Sequence, residues 1–350
     1  RPKMTAQAQE RKAQSSMEGM SKLKALLIMG RIQFCLEGFL RASIVGSLAY
    51  AYDKGVRLSW SRALLSGSIA ALTNIGLNYL NDYMDLPGDL YEFNKAKEAA
   101  AKKGGDYKLP TKGSGILVRG ILPRWTALAA ALAVWSLEIC VMLAHRAYYP
   151  NTTPFQGQVL VATLVAMFVS CAYNTPPFNT SYTPLCELTS LSTLCFGSFL
   201  CGYNFQDLSG GSTFGFPTTT MPLLVLDVLL EAPRLLTMNI VDIEADLSIN
   251  KVTFAGTIGY TASANLYKTC TYIFTGTALV LATYTRDSYI SAVILATALL
   301  VVPQMIGVSR QLTRLAQKQP KETDSPDIWV SVLEIQKLLL WAGFLFVGRS

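Results

Sequence analysis

Two stretches of this 350-residue chain set Asn and Asp at helical spacing, and both suit a cation bound together with a phosphorylated ligand. The first reads Asn78-Tyr79-Leu80-Asn81-Asp82-Tyr83-Met84-Asp85-Leu86-Pro87-Gly88-Asp89. Asn81 and Asp85 are four apart and share a helix face; Asp89 follows a Pro-Gly break, where the chain turns it back toward them. The second runs Asn239-Ile240-Val241-Asp242-Ile243-Glu244-Ala245-Asp246, then Asn250-Lys251-Val252-Thr253. Asp242 and Asp246 lie one turn apart, and Asn239 joins their face from three residues upstream. Four carboxylates facing each other at helix C-termini repel one another and the helix dipoles, so something cationic must sit between them. Oxygen-only ligands suit magnesium, which is shared among a few carboxylates, waters and substrate phosphates. The arrangement predicts a metal-bridged diphosphate. One such cluster reads as easily as a solvated helix end; two matched clusters on one side of a membrane do not.

The elements that must position these residues are membrane helices. Apolar residues make up 51% of the chain and charged residues 15%, against the ~25% charge of an ordinary soluble domain. A spanning helix needs about 20 mostly apolar residues, and nine segments qualify: 33–51, 61–82, 125–145, 156–174, 185–203, 221–243, 266–284, 288–306 and 330–348. Cytoplasmic loops retain Lys and Arg. Arg1, Lys3, Arg11, Lys12, Lys22, Lys24 and Arg31 therefore place the N-terminus inside, and the basic stretches after the second and eighth segments agree. Both Asp motifs then emerge on the cytosolic side.

The expected organisation is a basic cytosolic arm over 1–30, without a cleavable apolar signal, followed by a single membrane domain over 31–350. Two cytosolic loops, 86–123 and 244–262, are expected to cap the site. The first is long and polar, which suits a lid over a central cavity. The net charge of +7 is spread over the arm and loops as topology signals, which argues against nucleic acid as a partner. Seven cysteines show no CxxC spacing and support neither a disulfide framework nor a zinc site. The single histidine, His145, reads as an interfacial residue at the end of an apolar segment.

Further candidates lie within the apolar segments. Asp227, Glu231 and Arg234 form one stripe of the sixth segment. Arg234 stands eight residues before Asp242 and can point into the same cavity to bind substrate or steer a cation; the alternative is a structural salt bridge with Glu231. Tyr173, Tyr182 and Tyr203 can line the chamber and stabilise positive charge with their π faces, or serve as core aromatics.

Asn81, Asp85 and Asp89, with the Asn81-Asp82 pair, and Asp242 and Asp246 followed by Lys251 and Thr253 resemble the two signature motifs of the UbiA superfamily of intramembrane prenyltransferases. Tyr173-Asn174-Thr175-Pro176-Pro177, Tyr182, Cys186-Glu187, Phe196-Gly197 and Tyr203 are similar to the branch that prenylates dihydroxynaphthoate in menaquinone synthesis. The resemblance covers most of 31–262 and implies an all-α integral-membrane bundle of nine transmembrane helices. It implies that Asn81, Asp85, Asp89, Asp242 and Asp246 bind magnesium and diphosphate, with Asn239 beside them. Lys112 sits where the family places a basic residue on the phosphate, and Lys251 is a second candidate for that charge. Tyr182, Glu187 and Tyr203 are implied on the substrate side, and Tyr173 and Arg234 in the chemistry. Two positions depart from the naphthoate branch: Val241 stands in place of an Arg, and Asn250 in place of a Gly.

The expected activity is magnesium-dependent ionisation of an allylic isoprenyl diphosphate, with transfer of the prenyl cation to a small aromatic or quinone-type acceptor. The alternative is a terpene cyclase of UbiA type, in which the double bonds of a substrate such as farnesyl diphosphate capture the cation; Val241 and Asn250 favour it. A transporter ranks third, because transporters break helices at the bilayer midplane, whereas these acids cluster at one rim. The expected location is a multi-pass membrane protein with its mouth on the cytosolic side, in the endoplasmic reticulum of a eukaryotic cell.

Overall fold

The computed structural model describes residues 20–103, 113–148, 153–207, 215–248, 250–318 and 325–348, and among these the secondary structure is entirely helical. In chain order the α-helices are α1 Lys22–Met29, α2 Ile32–Leu40, α3 Ser47–Lys54, α4 Trp60–Lys103, α5 Arg124–Tyr148, α6 Thr153–Asn174 and α7 Cys186–Leu191. They continue with α8 Ser198–Phe205, α9 Met221–Val241, α10 Ile243–Ser248, α11 Phe254–Tyr284, α12 Ser288–Ala316 and α13 Pro326–Val347. Wide π turns at Arg41–Gly46 and Ser192–Gly197 join α2 to α3 and α7 to α8. Helices are what lipid demands, since each satisfies its own backbone hydrogen bonds. Among the described residues, four are long and apolar enough to cross a membrane: Trp60–Tyr91 within α4, Arg124–His145 within α5, α12 and α13.

The chain packs as two compact units. One comprises 1–35 and 72–139, and the other 36–71 and 140–350. In the first unit, α4 corrects the expected loop over 86–123. The helix runs through Pro87 to Lys103 instead of ending at the first motif. Proline lacks the N–H that should bond the carbonyl four residues back, and here that carbonyl, on Tyr83, accepts instead from Arg124 Nε at 3.1 Å. The guanidinium also lies 4.4 Å from the Tyr83 ring centroid. Residues 104–112 of the expected lid lie outside the described residues.

In the second unit the π turn after α2 packs against α8. Gly46 and Gly202 allow this close approach, because a Cβ on Gly46 would collide with the carbonyl of Phe199 and one on Gly202 with that of Ala42. Small residues at crossings are how membrane helices gain contact. Around them a continuous core includes Leu48, Phe199, Leu223, Tyr267, Val293 and Trp341. The expected loop over 244–262 is also corrected. Helix α10 begins at Ile243 and α11 at Phe254, where the Thr253 hydroxyl caps the Gly256 N–H, and Gly259 at φ 78° kinks α11.

Candidate active site

The first motif is built entirely within the first unit. Because α4 is unbroken, Asn81, Asp85 and Asp89 repeat every four residues along one face. All three are half-buried. Asn81 Nδ2 donates to Asp85 Oδ2 at 3.0 Å, which aims the carboxylate, and Asn78 is tied to the carbonyl of Gly30 at 3.0 Å. The same face continues inward through Asn74, at the middle of the span. The 4-3-4 spacing of Asn74, Asn78, Asn81 and Asp85 was available in the sequence as the signal for this polar stripe.

Asp82 takes a different part. It is 3% exposed, and Arg31 Nη2 donates to its Oδ1 at 2.7 Å. The Ser114 N–H donates to the same oxygen at 3.3 Å, and the Ser114 hydroxyl donates to Oδ2. With both oxygens engaged, Asp82 holds the bend at Arg31, whose φ is 48°, and the segment after residue 112 against α4. Within that segment Gly113 has φ 68° and lies against Asp89, where any Cβ would strike the carboxylate. Glycine meets both requirements. Lys112 itself lies outside the described residues.

The second motif is built within the second unit. Helix α9 ends at Val241, Asp242 is its C-cap, and the Asp246 N–H donates to the Asp242 carbonyl at 2.8 Å. Asp242 is half-buried; Asp246 is buried, with Lys251 Nζ 3.7 Å away. Lys251 also lies 5.8 Å from the ring centroid of Tyr182. Asn239 Nδ2 donates to Glu187 Oε1 at 2.8 Å, and the Cys186 thiol to Glu187 Oε2 at 2.7 Å. Thus Asn239 meets Glu187, and Lys251 lies beside both Asp246 and Tyr182. Tyr260 was missed by the sequence reading. Burial, then the carboxylates of Glu244 and Asp242, holds its phenol above the ordinary value.

Two candidates sit elsewhere. The Tyr203 hydroxyl donates to Asp53, which also accepts from the N–H groups of Thr218 and Thr220 just before α9 begins. Asp242 closes the other end of that 21-residue helix, about 30 Å away at 1.5 Å per residue. Tyr203 therefore belongs to the core, where it meets Tyr50 edge to face. Arg234 forms the salt bridge left open above: its Nε donates to Glu231 Oε2 at 2.9 Å. Tyr173 is half-buried near the end of α6. His145 packs on Phe205, and all seven cysteines are free thiols. A further acid, Glu138, is wholly buried in α5 and accepts from the Thr73 hydroxyl at 2.7 Å; a single carboxylate in a 22-residue apolar span was its signal.

Among the described residues, no three Asp, Glu, His or Cys side chains gather closely enough to hold a metal unaided. The half-buried pair Asp85 and Asp89, one turn apart on α4, suits an ion that takes one or two carboxylates from protein and completes its shell with water and phosphate, which is the habit of magnesium.

No protein-family model and no curated protein sequence matches this chain. Solved structures do. A UbiA homologue from Aeropyrum pernix K1 superposes with a TM-score of 0.61 at 15% identity, covering 88% of this chain and 98% of its own. This chain has the UbiA fold. A UbiA homologue from Archaeoglobus fulgidus, solved with DMAPP and Mg2+, gives a TM-score of 0.59 at 15% identity over 92% of this chain and 98% of its own. A digeranylgeranylglyceryl phosphate synthase gives 0.54 at 16% identity over 93% and 99%. The UbiA fold thus extends over nearly the whole chain, including the part beyond residue 262 where the sequence matches only in hydropathy.

Proposed function

We propose that this chain is a UbiA-type intramembrane enzyme that ionises an allylic isoprenyl diphosphate with magnesium and transfers the prenyl cation to a small aromatic or quinone-type acceptor. One observation carries the reading: Asn81, Asp85 and Asp89 share one half-buried face of an unbroken helix, and the Asn81 amide aims the Asp85 carboxylate. Two carboxylates one turn apart repel each other unless a cation lies against them. The Archaeoglobus homologue, solved with DMAPP and Mg2+, supports the same ligand class here.

Asn81, Asp85, Asp89, Asp242 and Asp246 would hold the ion and the diphosphate. Magnesium supplies Lewis acidity, drawing charge from the bridging oxygen so that diphosphate leaves. Asn81 orients Asp85 through its amide. Lys251, beside Asp246, offers positive charge to a phosphate, as does Lys112 on the family resemblance. The π face of Tyr182 lies beside Lys251 and can stabilise positive charge. Apolar helices keep water from the cation once the allylic carbon–oxygen bond has broken. We place the site on the cytosolic side of a nine-span membrane protein, in the endoplasmic reticulum if the cell is eukaryotic.

A second reading is favoured by Val241, an apolar side chain exposed at the end of α9 where the naphthoate branch carries Arg. With no polar group there to seat an acceptor, the cation is captured by the substrate's own double bonds and the product is a cyclic terpene. Purified protein in detergent, incubated with magnesium and farnesyl or geranylgeranyl diphosphate and extracted with hexane, separates the two. Strict dependence on an added acceptor is expected for transfer; a cyclic hydrocarbon formed without one overturns transfer in favour of cyclisation. Absence of diphosphate release under every condition overturns both.

A further inference from the structure

Among the described residues, seven ionisable side chains from three helices meet inside the second unit. Glu37 and Arg41 come from α2 and its π turn, Asp227, Glu231 and Arg234 from α9, and Glu334 and Lys337 from α13. All seven are buried, Arg41 to 1% exposure. Arg41 is central: its Nε lies 2.9 Å from Asp227 Oδ2 and its Nη2 3.3 Å from Glu231 Oε2, and the same nitrogen pairs with Glu334. Lys337 pairs with Asp227 and lies 2.7 Å from Glu334. The Cys195 thiol donates to Asp227 at 2.9 Å.

The charges do not balance as written. Among the described residues four carboxylates face three cations, and Asp227, Glu231 and Glu334 each touch two of them. Glu37 has one contact among the described residues, Arg234 Nη2 at 3.5 Å, and Arg234 is already engaged by Glu231. The remaining charged groups acting on Glu37 are Glu231, Glu334 and Arg41. An uncompensated carboxylate in such an interior costs several kcal/mol, and a carboxyl group in that position neutralises instead.

We propose that Glu37 is a proton-binding site of the membrane interior: it carries the one proton that neutralises the network at neutral pH, and that proton lets α2 dock on α9 and α13. Glutamine is the neutral isostere of this state. Glu37→Gln leaves the network balanced, whereas Glu231→Gln strips Arg41 and Arg234 of a shared partner, and charge balance then returns only if Glu37 gives up its proton. Loss of the proton as pH rises sets Glu37 against Glu231 and Glu334 and loosens the packing of α9, whose far end carries the second Asp motif.

The test uses full-length purified protein in detergent, with the infrared carboxylic C=O band and the denaturation midpoint followed against pH. Glu138, a buried acid with no ion pair among the described residues, is removed as a source of signal by working in a Glu138→Gln background. The protonated-carboxyl band is expected to be lost in Glu37→Gln, with the neutral-pH midpoint unchanged. Glu231→Gln should lower that midpoint. The folded wild type holds a proton that the unfolded chain has released, so its stability falls as pH rises from the ordinary carboxyl range through neutrality; in Glu37→Gln this decline should be absent. A band that persists in Glu37→Gln, a decline that is unchanged, or a Glu37→Gln protein as unstable as Glu231→Gln overturns the proposal.

Discussion

Asp85→Ala is expected to lower diphosphate release about a thousandfold, since Lewis-acid assistance contributes several kcal/mol and each ~1.4 kcal/mol is a factor of ten in rate. The folded protein should survive. Asp85 is half-buried and accepts a hydrogen bond from Asn81 one turn away on its own helix, so its removal deletes a ligand without opening the core. Turnover measured beside a size-exclusion profile and a helical circular-dichroism spectrum separates loss of chemistry from loss of fold. Activity within tenfold of wild type would remove Asp85 from the metal site. Asp82 forms the internal contrast, because its two oxygens are held by Arg31 and Ser114 and its part is to fix the neighbouring chain.

The second large effect is expected on stability. Arg41→Met keeps the length of the side chain while removing the guanidinium that Asp227, Glu231 and Glu334 share. Breaking a buried ion pair from one side costs about 3–5 kcal/mol, because the partner carboxylates are left buried and uncompensated. Denaturant titration of wild type and variant in the same detergent reads this directly. A midpoint indistinguishable from wild type would show that the network contributes nothing to holding α2, α9 and α13 together. Protonation of the stranded carboxylates at low pH should recover part of the loss, since it removes their charge.

Much of the fold was legible because lipid leaves the backbone few choices. The apolar run at 125–145 anticipates α5 at Arg124–Tyr148 within a few residues, and the run at 330–348 anticipates α13 as closely. The end of the first motif was not legible. Pro87 followed by Gly88 reads locally as a stop, and what overrides it is a guanidinium 37 residues further along the chain that takes the Tyr83 carbonyl. The same limit applies to 244–262, where short α10 and the kinked start of α11 fill what hydropathy reads as a loop.

Site residues divide along similar lines. The pairing of Asn81 with Asp85 follows from spacing alone, and so does that of Glu231 with Arg234. Tyr203 was misjudged because an aromatic at a family-like position does not reveal which end of the bundle it occupies; Asp53 decides that. Glu37, Arg41, Glu334 and Lys337 passed unnoticed for a related reason. Each stands alone in its own apolar segment or nearly so, and only packing of helices remote in sequence makes them one network.

The claim on which the proposed activity rests is that the two Asp motifs act on one diphosphate. The affinity and stoichiometry of isoprenyl diphosphate binding, measured with magnesium in wild type, Asp85→Ala and Asp242→Ala, test it. If the motifs share one ligand, each chain binds one diphosphate and either single variant weakens that binding. Two diphosphates per chain, one of them held at wild-type affinity in each single variant, would mean two independent sites and would contradict the shared diphosphate.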